Sequence, residues 1–147
     1  MRRWRWFNSV TVLKVLGVYG FVVTCLVTAV VWQNPRDRAV ILMAWGVILL
    51  WIVGGGLLAL RFRDRVRHFV LGVRLGWRTK FVLFATTMAL IEEAITTSMT
   101  NMAPLFGVKM GEAYITASAN YLDVVLCHSV VVFVPGYIAW AVLLSTS

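Results

Sequence analysis

The chain has 147 residues, of which 61% are hydrophobic and 14% are charged, and its mean hydropathy is +0.84. A soluble domain carries about a quarter charged residues, and a small core cannot hold this much apolar surface. The composition excludes a water-soluble globular protein and a disordered chain, and it predicts an integral membrane protein. The net charge of +8 fits this class, because cytoplasmic loops of membrane proteins collect Lys and Arg.

Four apolar segments are long enough to cross a bilayer, since about 20 helical residues span the hydrocarbon core. They cover residues 10–32, 39–60, 81–104 and 113–144. We therefore expect a single all-α domain over residues 1–147, built from four transmembrane helices. The first segment is expected to be a retained span, because it is longer than the apolar region of a signal peptide.

The basic residues predict the orientation of these helices. Ten of the 14 lie at the N-terminus (Arg2, Arg3 and Arg5) or in the second connector, so both termini are expected in the cytoplasm, at an inner or plasma membrane. In residues 61–78, apolar residues recur at helical spacing, which predicts an amphipathic interfacial helix on the anionic cytoplasmic leaflet. Its basic face comprises Arg63, Arg65, Arg67, Arg74 and Arg78. No nucleic-acid-binding motif accompanies these residues, so nucleic acid is not an expected partner.

Polar residues concentrate in the third and fourth segments. Glu92 and Glu93 lie near the middle of the third, and Asp123 and His128 lie within the fourth. Ionisable residues inside membrane spans usually mark functional sites. Helical spacing places Thr96, Thr97 and Thr100 in the same arc as the two glutamates. Asn101, near the outer end of the third segment, is a further supporting polar residue. A second predicted stripe on the fourth helix, facing the first, consists of Thr116, Asn120, Asp123 and Cys127.

Several chemistries suit this cluster. Carboxylates and imidazole bind divalent transition metals such as zinc, iron or manganese, and the same groups suit a proton or cation relay. The leading hypothesis is a site for a metal ion, proton or small cation, within a homo-oligomer or as a subunit of a larger membrane complex. One alternative is a metal-dependent hydrolase or oxidase that acts on a lipid-phase substrate. Another is a structural accessory subunit.

The pair Glu92-Glu93, with His128 on a later helix, resembles part of the motif of glutamate-dependent intramembrane proteases of the CAAX-processing type. Those enzymes have Glu-Glu-x-x-x-Arg and further His motifs on more helices. Here the residues after the pair, Ala94 to Thr97, include no Arg, and only one later His follows. We therefore do not infer protease activity for this chain from the resemblance.

Overall fold

A computed structural model describes residues 9–145, with side chains from residue 10 onward. The described chain forms four long helices: α1 (Ser9–Val31), α2 (Pro35–Gly72), α3 (Trp77–Asn101) and α4 (Tyr121–Leu143). A short 3-10 turn, Ala103–Phe106, follows α3. All four helices are long and apolar enough to cross a membrane, which confirms the predicted number of membrane-length helices. The predicted basic residues Arg2, Arg3 and Arg5 lie outside the described residues.

The fourth helix is shorter than its apolar segment. Residues 113–120 form a loop, so the prediction of a helix over 113–144 was wrong for its first eight residues. The helix begins after Asn120, whose side-chain oxygen accepts a hydrogen bond from the backbone N–H of Leu122 at 2.9 Å. An Asn in this position satisfies one of the free N–H groups at a helix start. Gly107 and Gly111, at φ 85° and 88°, supply the left-handed turns of the preceding connector.

Helix α2 is longer than its apolar segment. Its central part, Ile48–Gly55, is π-helical, and the α-helix resumes at Gly56 and continues to Gly72. Most of the predicted interfacial helix is therefore helical, but it continues α2 without a break. No Gly or Pro occurs between Gly56 and Gly72, so the helix is not interrupted where the apolar segment ends at Leu60. The chain leaves the helix only at Val73, which adopts an extended conformation, and α3 begins after Gly76.

The five arginines of the predicted basic face are exposed. Arg65 lies over the ring of Phe62, with 5.5 Å from its Cζ to the ring centroid. Arg78, at the start of α3, donates a 2.5 Å hydrogen bond from Nη2 to Ser145 Oγ, just after α4. Lys80 Nζ donates to the carbonyl of Leu71 at 3.2 Å, which ties the end of α2 to the start of α3. The basic connector and the end of α4 therefore meet at one end of the molecule.

The described helices pack in series, α1 on α2, α2 on α3 and α3 on α4. The α2–α3 contact is close: a Cβ added at Gly46 would overlap Met99 Sδ. A small hydrophobic core lies where the connector after α3 covers this contact. Its buried residues are Ala39, Met43, Met99, Ala103, Val108 and Ala113.

Large apolar surfaces remain uncovered in this arrangement. The chain exposes 11331 Å², whereas a compact soluble protein of its mass exposes about 7,500 Å². In α1, none of the residues in its most apolar stretch is buried. Such surfaces are typical of helices that contact lipid or another protein.

Candidate functional site around Glu93

The carboxylate of Glu93 lies in the contact between α3 and α4. Ser129, a buried residue of α4, donates a 2.5 Å hydrogen bond from Oγ to Glu93 Oε1. Thr96 Oγ1 lies 3.2 Å from Glu93 Oε2 and 3.1 Å from the Glu93 backbone carbonyl oxygen, so its hydroxyl proton is shared between the two acceptors. Each carboxylate oxygen of Glu93 thus has a hydroxyl neighbour, and the side chain itself is half-buried.

Small residues on α3 allow this close contact. Thr86 and Ala89 line the interface with α4 and leave room for the larger side chains of Phe133 and Tyr137. These two rings stack at 6.2 Å between centroids, one helical turn apart on α4. Because the helices approach closely along this line, Ser129 reaches Glu93 near the middle of both helices.

A π-helical segment of α4, Val125–Ser129, includes Ser129 and His128. A π segment widens the helix and rotates the residues before it relative to those after it, and such segments are frequent at functional sites. It changes which side chains face α3. The predicted stripe through Thr116 and Cys127 was wrong for this reason and because Thr116 lies in the loop before α4.

The other ionisable residues of the predicted site do not join Glu93. Glu92, Asp123 and His128 are all exposed. Asp123 lies in the first turn of α4, where its Oδ2 accepts a 3.4 Å hydrogen bond from Ser118 Oγ. Among residues 9–145, no group of three or more His, Cys, Asp or Glu side chains is arranged to hold a metal ion.

The supporting polar residues of the prediction mostly hold the connector after α3. Thr100 Oγ1 lies 3.0 Å from Thr116 Oγ1 and accepts the backbone N–H of Ile115 at 3.3 Å. Asn101 Nδ2 donates to the carbonyl of Ala119 at 2.9 Å. With Asn120 at the start of α4, these residues satisfy loop groups instead of lining the Glu93 carboxylate.

Thr97 differs from its neighbours. It is 3% exposed, and its Oγ1 is a buried side-chain atom for which the described chain provides no hydrogen-bond partner. A buried hydroxyl without a partner is unfavourable, and such groups are uncommon in folded proteins. Thr97 follows Glu93 by four residues, so it lies one helical turn beyond Glu93 on the same face of α3.

Two site residues were missed by sequence reasoning, which followed the ionisable groups. Ser129 is the direct partner of Glu93, and Tyr121 donates a 3.1 Å hydrogen bond from its hydroxyl to the carbonyl of Leu90 on α3. Ser129 immediately follows His128 in the sequence. Its polarity within an apolar segment was the signal that could have identified it.

No family model, curated protein or solved structure matches this chain significantly. A carboxylate bounded by two hydroxyl groups can hold a proton or a small cation, because the carboxylate can take up a proton and all of these oxygens can ligate a hard cation. The surrounding helices are apolar, so a negative charge at Glu93 would be costly without such a partner.

Proposed function

We propose that this chain is an integral membrane protein that binds a proton or a monovalent cation at Glu93 and carries it across the membrane. The observation that supports this proposal is the pair of hydroxyl contacts to the Glu93 carboxylate, at the contact of two helices of membrane-spanning length. Glu93 is the ionising group, and Ser129 and Thr96 orient it. Neutralisation by an exchangeable proton or cation removes the cost of a charge in this position.

The basic end of the molecule defines the orientation within this proposal. The five arginines Arg63, Arg65, Arg67, Arg74 and Arg78 face the anionic cytoplasmic leaflet, and both termini lie on that side. The apolar side of this segment packs partly toward α3, where Val66, Phe69 and Phe84 line a cleft of about 350 Å³.

The transition-metal, enzyme and structural-subunit functions remain hypotheses, because no contact among the described residues favours them.

The decisive experiment measures proton and sodium flux into liposomes that contain the purified protein, with an imposed membrane potential. Replacing Glu93 by Gln removes the ionising group while it keeps the size of the side chain. We expect Glu93→Gln to reduce flux by at least roughly tenfold, because no other group replaces the charge. Ser129→Ala is expected to reduce it less, since the carboxylate remains.

The matched control is Glu112→Gln, the same chemical change in the connector after α3. Glu112 Oε2 accepts the backbone N–H of Lys109 at 3.0 Å and lies far along the chain from the Glu93 contact. Infrared difference spectra of the wild type against Glu93→Gln, with Glu112→Gln as the control, identify which ligand the Glu93 carboxylate takes, because only a bound proton produces the carbonyl band of a carboxylic acid. Flux in Glu93→Gln equal to that of the wild type and of Glu112→Gln would refute the proposal.

A further inference from the structure

Glu92 and His128 lie on one side of the row of helices. Glu93 on α3 contacts Ser129 on α4. These two helices run in opposite directions, because Arg78 at the start of α3 bonds Ser145 after the end of α4, and Asn101 at the end of α3 bonds Ala119 before the start of α4. Glu92 and His128 each precede the contacting residue by one position, which is about 100° around α3 and somewhat less around the π-helical segment of α4. For two antiparallel helices this rotation leads to the same side of the pair. We call this side, with Glu92, Thr96, His128 and Val132, the Glu92 face.

The two ionisable residues also lie at nearly the same height. One residue of helical rise on each helix, in opposite directions, separates them by about 3 Å along the axis. Glu92 is the 16th of the 25 residues of α3, so it lies well inside the helix. Both side chains are exposed, and no salt bridge joins them within the chain.

The opposite side of α3 has a different character. Ala94 follows Glu92 by two residues, which places it about 200° around the helix. With Leu50 and Ile91 it lines an open apolar groove of about 460 Å³. Lipid chains can cover such a groove, but they provide no hydrogen-bond partner for a carboxylate or an imidazole. The Glu92 face therefore requires a polar partner that the apolar side does not.

We propose that the Glu92 face binds a second copy of this chain in a parallel, two-fold symmetric dimer. In such an interface Glu92 of one copy contacts His128 of the other, and the same contact occurs a second time. A two-fold axis along the membrane normal preserves heights, so the offset of about 3 Å remains within reach of the side chains. An acid and a base on one face make the surface self-complementary in charge. The inference rests on the proposed membrane insertion but not on ligand binding at Glu93.

Cross-linking at two matched positions tests which face is covered. Val132 lies on the Glu92 face, one turn after His128, and Leu126 precedes Ser129 by three residues and lies on the opposite side of α4. The two side chains are similarly exposed, at 64% and 62%. In a chain whose two cysteines are replaced by Ala (Cys25→Ala and Cys127→Ala), a short bismaleimide should join Val132→Cys copies in liposomes. Leu126→Cys copies should stay without cross-links at the same protein-to-lipid ratio, because their cysteines lie on the far side of α4.

Charge variants test the contact itself. We expect Glu92→Gln or His128→Gln, each combined with Val132→Cys, to weaken dimerisation roughly tenfold, as measured by the protein-to-lipid ratio at half-maximal cross-linking. The exchanged pair, Glu92→His with His128→Glu, should restore cross-linking because it recreates both contacts. Equal cross-linking at the two cysteine positions, or a Glu92→Gln variant that dimerises as the wild type does, would overturn the proposal.

The same assay separates this inference from the proposed function. Glu93→Gln is expected to dimerise normally even where it loses flux, because Glu93 contacts Ser129 within one copy. A chain that dimerises through the Glu92 face but shows no flux would refute the proposed function alone. A chain that carries flux as a monomer would refute the dimer alone.

Discussion

The first and the last helix of this chain are attached in different ways. Among the described helices, α1 packs mainly on α2. Trp45 Nε1 donates a hydrogen bond to Thr28 Oγ1 at 2.9 Å, and the rings of Trp45 and Phe21 make an edge-to-face contact at 6.0 Å. Helix α4 packs along the middle of α3 and places Ser129 against Glu93. The polar interactions of the described helices are therefore concentrated at one end of the row.

This difference separates two roles of a membrane-length helix. A mostly apolar helix such as α1 has few groups that distinguish one neighbour from another, because lipid chains are as apolar as most of its side chains. Small residues and hydroxyls on α3 and α4 define one closely packed contact. Substitutions in α1 should consequently affect the molecule less than equivalent substitutions in the α2–α3–α4 part of the row.

The largest effect is expected at the α2–α3 contact. Gly46→Leu places a side chain where even a Cβ would overlap Met99 Sδ, whereas Gly20, on α1, has no neighbouring atom within 4 Å of such a Cβ. We expect Gly46→Leu to lower the free energy of unfolding by about 1–3 kcal/mol, as for other overpacked cores. Gly20→Leu, the same substitution on the exposed helix, should not lower it. Thermal unfolding of both variants in one detergent measures the difference, and equal melting temperatures would contradict it.

Much of this architecture could be predicted from the sequence, because hydropathy determines where long apolar helices occur. The number of long helices and the location of the glutamate pair in the third helix follow from that pattern. The residue at which α4 begins does not follow from it. Residues 113–120 are mostly small or apolar, so hydropathy alone extends the helix through them. Their backbone is instead fixed by Thr100 and Asn101 of α3, and contacts between distant residues leave no periodic pattern in the sequence.

The candidate site could be predicted only in part for a related reason. Glu93 was identified because an acid in an apolar helix is conspicuous. Its partner Ser129 was not identified. The π segment Val125–Ser129 changes which residues of α4 face α3, so that Ser129 contacts Glu93 in place of a residue of the predicted stripe. A helical wheel with one fixed rotation per residue cannot represent that change.

Thr97 and Thr100, one turn apart on α3, differ in whether their buried hydroxyl groups have hydrogen-bond partners. Thr100 makes hydrogen bonds to Thr116 and Ile115, whereas Thr97 Oγ1 is buried without a partner in the described chain. Valine has nearly the shape of threonine, so Thr→Val removes only the hydroxyl. We expect Thr100→Val to lower the free energy of unfolding by about 1–2 kcal/mol and Thr97→Val to raise it by about 1 kcal/mol. Chemical denaturation of the two variants measures both signs, and a loss of stability in Thr97→Val would show that its hydroxyl has a partner.

The smallest effect is expected where α1 meets α2. Trp45→Phe removes the N–H group that binds Thr28 but retains an aromatic ring beside Phe21. Because α1 contacts no other described helix extensively, the change should loosen α1 alone, by about 0.5–1.5 kcal/mol, the usual net value of one hydrogen bond. Hydrogen exchange resolved by peptide should then accelerate in α1 and stay constant in α3. Trp140→Phe, at an exposed tryptophan of α4, is the matched control. Faster exchange in α3 as well would mean that α1 stabilises the Glu93 contact through α2, and the two ends of the row would not be independent.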